Sequence, residues 1–388
     1  MLRKVRRQIL SPIQLIIRDS RSLGIILSLC ALISLIVSNS ALGDNYINFW
    51  RTEFHLPGPL NLPHSLLHWV NDFFMAIFFF LVGMEIKREM LVGELSDIKK
   101  AIVPIIAAVG GMVAPAIIFT IICRGTAFTG GWGIPMATDI AFSLGVASLL
   151  GSRVPLSLKV FLTALAIIDD LGAIAMIAIF YGGAIQWIYL FGAALSVGAL
   201  YVLSKIHKRY PLLQFIMSMV LWYMIFNSGI HATVAGALFA FTIPMDQLTT
   251  AERRLHIPVN FIILPVFALA NTIKIPADIT SALQHPLNIG ITMGLVLGKP
   301  LGIFLFCYLL VSLKWGSLPH NVNWRQLIGV GMLAGIGFTM SIFIATLAFP
   351  LPELQDIAKI GVILGSVLSI IAGSIMLLSF SKKLTSDK

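Results

Sequence analysis

Long apolar stretches separated by short polar connections recur along the whole chain. They cover residues 23–37, 65–86, 101–123, 131–150, 158–181, 187–204, 211–227, 230–244, 257–275, 287–312, 327–349 and 357–380. Most approach the roughly 20 apolar residues that a helix needs to cross the hydrocarbon of a bilayer. The pattern predicts an all-α polytopic membrane protein with about twelve transmembrane helices. The eighth run is short, and only Asn227-Ser228-Gly229 divides it from the seventh. The longest connection, 43–63, carries Pro57, Gly58, Pro59 and Pro63, which break helices, and reads as a loop with no strand pairing.

Composition agrees: 58% of the 388 residues are hydrophobic and 11% charged, against about 25% charged in soluble domains. Little chain is left for a soluble domain. A net charge of +10 raises the question of a nucleic-acid partner, but the placement of the charges answers to topology instead. With the N-terminus inside, 22 of the 27 Lys and Arg fall on the inner side and four (Arg51, Arg124, Lys274, Lys359) on the outer. Both termini are then cytoplasmic. The basic segment 1–22 followed by an apolar run imitates a secretory signal, with Ser38 and Ser40 before Ala41; a retained first helix gives the same orientation. Cys30, Cys123 and Cys307 sit in apolar runs at no metal spacing, so they read as small core residues.

The fifth run holds two adjacent carboxylates, Asp169 and Asp170, at its middle. Insertion scales charge roughly 2.5–3.5 kcal/mol for one Asp there, so the pair costs about twice that before relief. The plainer reading is a salt-bridge anchor; the functional one is an ion site. Successive residues of a helix point about 100° apart. One carboxylate therefore faces a water-filled funnel and takes a cation, and the other leans on Lys299. Sodium and related hard cations prefer oxygen ligands. Carboxylates that exchange a proton for such an ion give antiport by simple competition, and the pair titrates as a coupled unit.

Two other runs are interrupted at matching depth. Thr138 and Asp139 lie mid-membrane in the fourth, and both favour local bonds to backbone over helix. The eleventh has Gly335 and Gly337 at the matching place. Aligning Gly131 with Gly329 also pairs Gly133 with Gly331, Ser143 with Ser341, Ala147 with Ala345 and Leu149 with Leu347, and the two helices would run in opposite directions, as an inverted repeat does. Broken helices expose N–H groups at one end and C=O groups at the other, each end worth about half a unit charge. Asp139 suits the positive ends and Lys299 the negative ends, or an Asp partner; scaffold electrostatics alone would explain both.

Glu85, Arg88 and Glu89 share a helical face at the cytoplasmic edge of the second run, and Glu252 and His256 are four apart at the start of the ninth. They read either as a pH-responsive entrance or as ion-paired helix ends. His231 reads as a hydrogen-bonding group between helices in preference to a pH sensor. Gly294-Leu-Val-Leu-Gly-Lys-Pro300 is one residue short of a phosphate loop and lacks its hydroxyl. Neither a His-Glu-x-x-His motif nor a nucleophile elbow occurs.

Taken together, Ala137-Thr-Asp-Ile-Ala-Phe142, Ala164-Leu-Ala-Ile-Ile-Asp-Asp-Leu-Gly172, Gly83-Met-Glu-Ile-Lys-Arg-Glu89, Ser228-Gly-Ile-His-Ala-Thr233, Gly298-Lys-Pro-Leu-Gly302 and Gly335-Ile-Gly-Phe-Thr-Met-Ser-Ile-Phe343 resemble the bacterial NhaA-type sodium/proton antiporters. The resemblance runs from about residue 20 to 380, and the family is built on inverted repeats with interrupted helices. It implies an ion and proton site at Asp170 and Asp169, and crossed helix ends compensated by Asp139 and Lys299 with Thr138 beside the break. It implies a cytoplasmic funnel lined by Asp72 and a pH-sensing cluster of Glu85, Arg88, Glu89, Glu252 and His256. It also implies electrogenic export of Na+ or Li+ against inward H+, no cofactor, and a homodimer joined by an outer β-hairpin. Arg253 stands where some relatives have a second His, His256-Ile-Pro-Val259 lacks the usual His-Pro-Trp, and Asn271-Thr-Ile-Lys274 replaces Asn-Ala-Gly-Val. These departures bear on the pH set-point and not on the transport core.

The expectation is therefore a multi-pass antiporter of the bacterial inner membrane, not an enzyme, whose partners are lipid, sodium and protons. Its single membrane domain, 23–380, would comprise a core bundle (101–181 and 287–380), interface helices (65–92 and 187–275) and the outer loop 43–63, with a cytoplasmic tail at 381–388. The rivals are another secondary transporter on this scaffold, for an organic anion anchored by Lys299, and an intramembrane aspartyl protease. The latter needs two Asp on separate helices, in Tyr-Asp and Gly-x-Gly-Asp settings that this chain lacks.

Overall fold

The structure is a computed structural model that describes residues 20–54, 61–206, 210–320 and 322–380. The basic residues of 1–19, Pro57, Gly58, Pro59, the tail 381–388 and Lys208 and Arg209 lie outside them. The order of elements is α1 (Ser20–Ser38), α2 (Gly43–Arg51), α3 (Leu66–Leu91), α4 (Ile98–Ile122), α5 (Thr129–Met136), α6 (Ile140–Leu149), α7 (Leu156–Phe180) and α8 (Trp187–Lys205). There follow α9 (Pro211–Phe226), α10 (Val234–Thr242), α11 (Met245–Ala270), α12 (Pro286–Ser312), α13 (Trp324–Ala334), α14 (Phe338–Ala348) and α15 (Pro352–Phe380). Among the described residues there is no strand, only one antiparallel bridge between Glu53 and Ser65.

Every apolar run of the sequence contains a helix. Among the described residues eight helices are long and apolar enough to cross a bilayer, counting α5 and α6 as one span, and two bent pairs raise this to ten. The remaining two runs give the shorter α9 and α10, of 16 and 9 residues. One expectation is corrected: 43–63 is not all loop, because α2 occupies its first part, turned 114° from α1. Its polar Asp44, Asn45 and Asn48 give it no membrane-length apolar signal.

Burial sorts the helices. The most apolar stretch of α8 is 17% buried, with Ile188, Phe191 and Leu195 exposed on its outside, whereas that of α7 is 67% buried. The helix with the paired carboxylates is thus enclosed by others, and α8 is peripheral. The first helix is packed into the bundle: Leu23 and Leu27 are buried, and the Ser34 and Ser38 hydroxyls donate to Leu269 O and Ile273 O at 3.0 and 2.9 Å. The three cysteines are free, Cys123 and Cys307 buried.

Helices α4 and α12 make the most intimate pair. On α12, Gly294, Gly298 and Gly302 recur every four residues. A Cβ at Gly298 would lie 2.7 Å from Pro115 Cα, and one at Gly302 would lie 2.6 Å from the Gly110 carbonyl carbon. Small residues let helix backbones approach this closely where lipid offers no hydrophobic drive. The glycines that imitate a phosphate loop are packing residues, and they bring Lys299 into the interior.

Candidate ion-binding site

Both predicted interruptions are present. Ala137 and Asp139 are extended (ψ 148° and 102°), so α5 ends and α6 begins anew. Helices α13 and α14 are separated by Gly335–Gly337 and bent by 48°. The breaks lie against each other: Asp139 N–H donates to Ile336 O at 2.7 Å, and the Ser341 hydroxyl donates to Ile134 O at 2.8 Å. Gly337 serves this approach as well as weakening the helix. A Cβ at Gly337 would sit 3.2 Å from Ala137 O.

Asp139 bridges two helix starts. One carboxylate oxygen accepts from Phe142 N at 3.1 Å in the first turn of α6. The other accepts from Thr339 N at 3.1 Å in the first turn of α14, and from the Thr339 hydroxyl. The carbonyl ends meet opposite partners. Lys299, fully buried, donates to Met136 O at the end of α5. The Thr138 hydroxyl lies 2.8 Å from Ala334 O at the end of α13. A carboxylate thus stands where N–H groups converge, and an ammonium where a carbonyl is left over.

The adjacent carboxylates part company. Asp169 Oδ2 accepts from Lys299 Nζ at 2.7 Å and lies 2.7 Å from the Thr138 hydroxyl. Asp170, 4% exposed, lines a cavity of about 340 Å³, and its Oδ1 has no hydrogen-bond partner among the described residues. The cavity wall also carries Thr138, Asp139 and Thr339 near the breaks, Thr163 and Asn260 between, and Glu85, Arg88 and His256 at the other end. Hydroxyl and amide oxygens beside a carboxylate form a donor set suited to a hard cation. Among the described residues no three His, Cys, Asp or Glu gather as a metal-ligating cluster.

The outer cluster is paired. Arg88 donates to Glu252 at 2.5 Å and to Glu89 at 3.1 Å, and Asn260 Nδ2 lies 3.1 Å from His256 Nε2. Glu89 and Glu252 do not line the cavity; they brace Arg88, which does. Asp72 is not among the residues lining this cavity; its Oδ1 lies 3.4 Å from His231 Nε2. Sequence reasoning missed Thr163 and Asn260. Thr163 was within reach of it, since it precedes Asp170 by two helical turns and shares its face.

Both rivals lose their chemistry here. Lys299 is held by Asp169 and a backbone carbonyl and is absent from the cavity wall, so it is no anchor for an organic anion. Asp169 and Asp170 share one helix and face different surroundings, which is not the two-helix dyad of an aspartyl protease.

Residues 14–377 match the family model described as Na+/H+ antiporter 1. The chain is 48% identical over 370 residues to the Na(+)/H(+) antiporter NhaA of Cytophaga hutchinsonii, covering 93% of each chain. It is 46% identical over 375 residues to Na(+)/H(+) antiporter NhaA 2 of Flavobacterium johnsoniae, covering 94% of this chain and 92% of the relative. It is 45% identical over 377 residues to the NhaA of Rhizobium etli, covering 93% and 94%. The chain belongs to the NhaA-type Na+/H+ antiporter family.

Proposed function

We propose that this protein exports sodium, or lithium, electrogenically in exchange for inward-moving protons in the bacterial inner membrane. Twelve helices with both termini cytoplasmic, two of them interrupted and crossed, make up the transport domain. Protons enter from outside and displace sodium at Asp169 and Asp170, and the emptied carboxylates reload from the other side. Asp139, Thr138 and Lys299 compensate the helix ends that the breaks expose. Glu85, Arg88, Glu89, Glu252 and His256 tune the response to pH at the cytoplasmic mouth, and Asp72 belongs to the cytoplasmic funnel. A homodimer is the working assembly.

The observation that carries this reading is the division of labour on α7. Asp170 lines a cavity with neutral oxygens around it, while Asp169, absent from that wall, is neutralised by Lys299. A cation arriving through the cavity meets the Asp170 carboxylate, which a proton can equally satisfy.

Dequenching of a pH dye in everted vesicles on addition of sodium tests it. Wild type dequenches, and Asp170→Asn gives no response at any pH. Normal exchange in that variant would remove the site.

A further inference from the structure

The last helix, α15, contributes no described residue to the wall of the Asp170 cavity. It nevertheless holds the break between α13 and α14 from behind. Two of its serines, Ser366 and Ser369, lie about one turn apart and are both buried. Ser366 Oγ accepts from Phe338 N at 3.2 Å, at the start of α14. Ser369 stands against the end of α13, where a Cβ on Gly335 would lie 2.7 Å from its Oγ. The two hydroxyls differ in one respect. That of Ser366 is engaged, and that of Ser369 has no partner among the described residues.

The first N–H groups of a helix have no partner within it. In α14, Ser341 N–H is bonded back to Gly337 O at 2.9 Å, which leaves Phe338 and Thr339 ahead of it. Their N–H groups go to different elements. That of Phe338 goes to Ser366 on α15, and that of Thr339 goes to Asp139, at 3.1 Å. The Phe338 ring also packs on the Phe142 ring, with centroids 4.6 Å apart, and Phe142 N donates to the same Asp139 carboxylate. Thr339 and Asp139 both line the Asp170 cavity. A continuous series of contacts therefore leads from Ser366 through the Phe338 backbone and Thr339 to Asp139 and the cavity wall.

We propose that Ser366 is a positioning residue for sodium binding: by taking the Phe338 N–H it keeps Thr339 on Asp139 and holds the oxygens of both in the cavity wall. The proposal rests on sodium being taken up in the Asp170 cavity. Without the serine oxygen a buried N–H is left with no acceptor, which costs more than the bond itself was worth. Asp139, already on the next N–H, is the acceptor at hand. Turning the start of α14 so that Asp139 serves Phe338 draws Thr339 off the wall, and sodium loses a neutral oxygen there.

The test measures the apparent KM for sodium and the maximal exchange rate of the full chain in everted vesicles, since KM does not depend on how much of the protein is folded. Ser366→Ala should raise KM about fivefold, the size of one net hydrogen bond, and keep the maximal rate per folded molecule within about twofold. Ser366→Cys, similar in size but a weaker acceptor, should fall between. Ser369→Ala removes a buried hydroxyl on the same helix that makes no bond, and should leave KM at the wild-type value. A wild-type KM in Ser366→Ala overturns the proposal. So does an equal rise in Ser369→Ala, which would make the packing of α15 responsible and not the bond. Where Ser366→Ala does not fold, Ser366→Cys decides, and a wild-type KM there overturns the proposal as well. Exchange retained by Asp170→Asn would instead strike the reading of the exchange site itself.

Discussion

Asp169 and Asp170 show how far one step of helix rotation separates two identical groups. Asp169 and Lys299 have side chains with no exposure at all. Removing one member of such a pair strands the other charge, at about 3–5 kcal/mol, whereas replacing both by neutral groups is often tolerated. Lys299→Ala should therefore destabilise the detergent-solubilised protein by about 3–5 kcal/mol in chemical unfolding, and Asp169→Asn/Lys299→Met should recover most of that loss. Equal losses in the single and double variants would show that the pair is not coupled. That one carboxylate would meet Lys299 and the other a funnel was legible in the sequence, because adjacent helical positions cannot share a partner. Which was which was not legible. The rotation of α7 about its own axis is set by contacts from α4, α5 and α13, elements distant in sequence.

At the scale of elements, the breaks were readable from Thr138-Asp139 and Gly335-Ile-Gly337, since such residues are poor in mid-helix. Their mutual docking was not, because a sequence does not say that Gly337 needs its smallness against Ala137 O. Nor did the apolar pattern announce α2, or the wider turns at Trp69–Phe74, Val259–Ile263 and Gly294–Gly298, where backbone geometry shifts without a change of hydropathy. The glycine row on α12 shows the consequence. Gly302 faces the backbone of α4 at Gly110, and a Cβ there would have to force the helices apart. Gly302→Ala should cost about 1–3 kcal/mol of stability, as overpacking does. Gly198 on α8 has nothing within 4 Å of its would-be Cβ. The same change there should be neutral or stabilising by up to about 1 kcal/mol, as an exposed helical Gly→Ala is. Thermal unfolding of the two variants side by side decides between close packing and simple helix propensity. A Gly302→Ala variant as stable as Gly198→Ala would deny the crossing its role in seating Lys299.

For the whole molecule, the charge count and the cavity point the same way. The Asp170 cavity is also lined by Glu85, Arg88 and His256, which the sequence places at the cytoplasmic ends of their helices. On our reading, sodium from the cytoplasm meets Asp170 first. If protons and sodium compete for that site, lowering the pH on the cavity side removes the ionised form that sodium needs. The apparent KM for sodium then rises as pH falls, by up to about tenfold per pH unit for each proton displaced, and saturating sodium restores the maximal rate. The paired cluster at the mouth would act differently. If protonation of Glu85, Glu252 or His256 rearranged the ion pairs about Arg88 and closed the entrance, the maximal rate would fall with little change in KM. Measuring both constants in everted vesicles across the pH range therefore separates competition at the site from gating at its mouth. A slope steeper than one proton per sodium in the KM limb would match electrogenic exchange through the coupled pair. A KM independent of pH would mean that the two ions do not share Asp170.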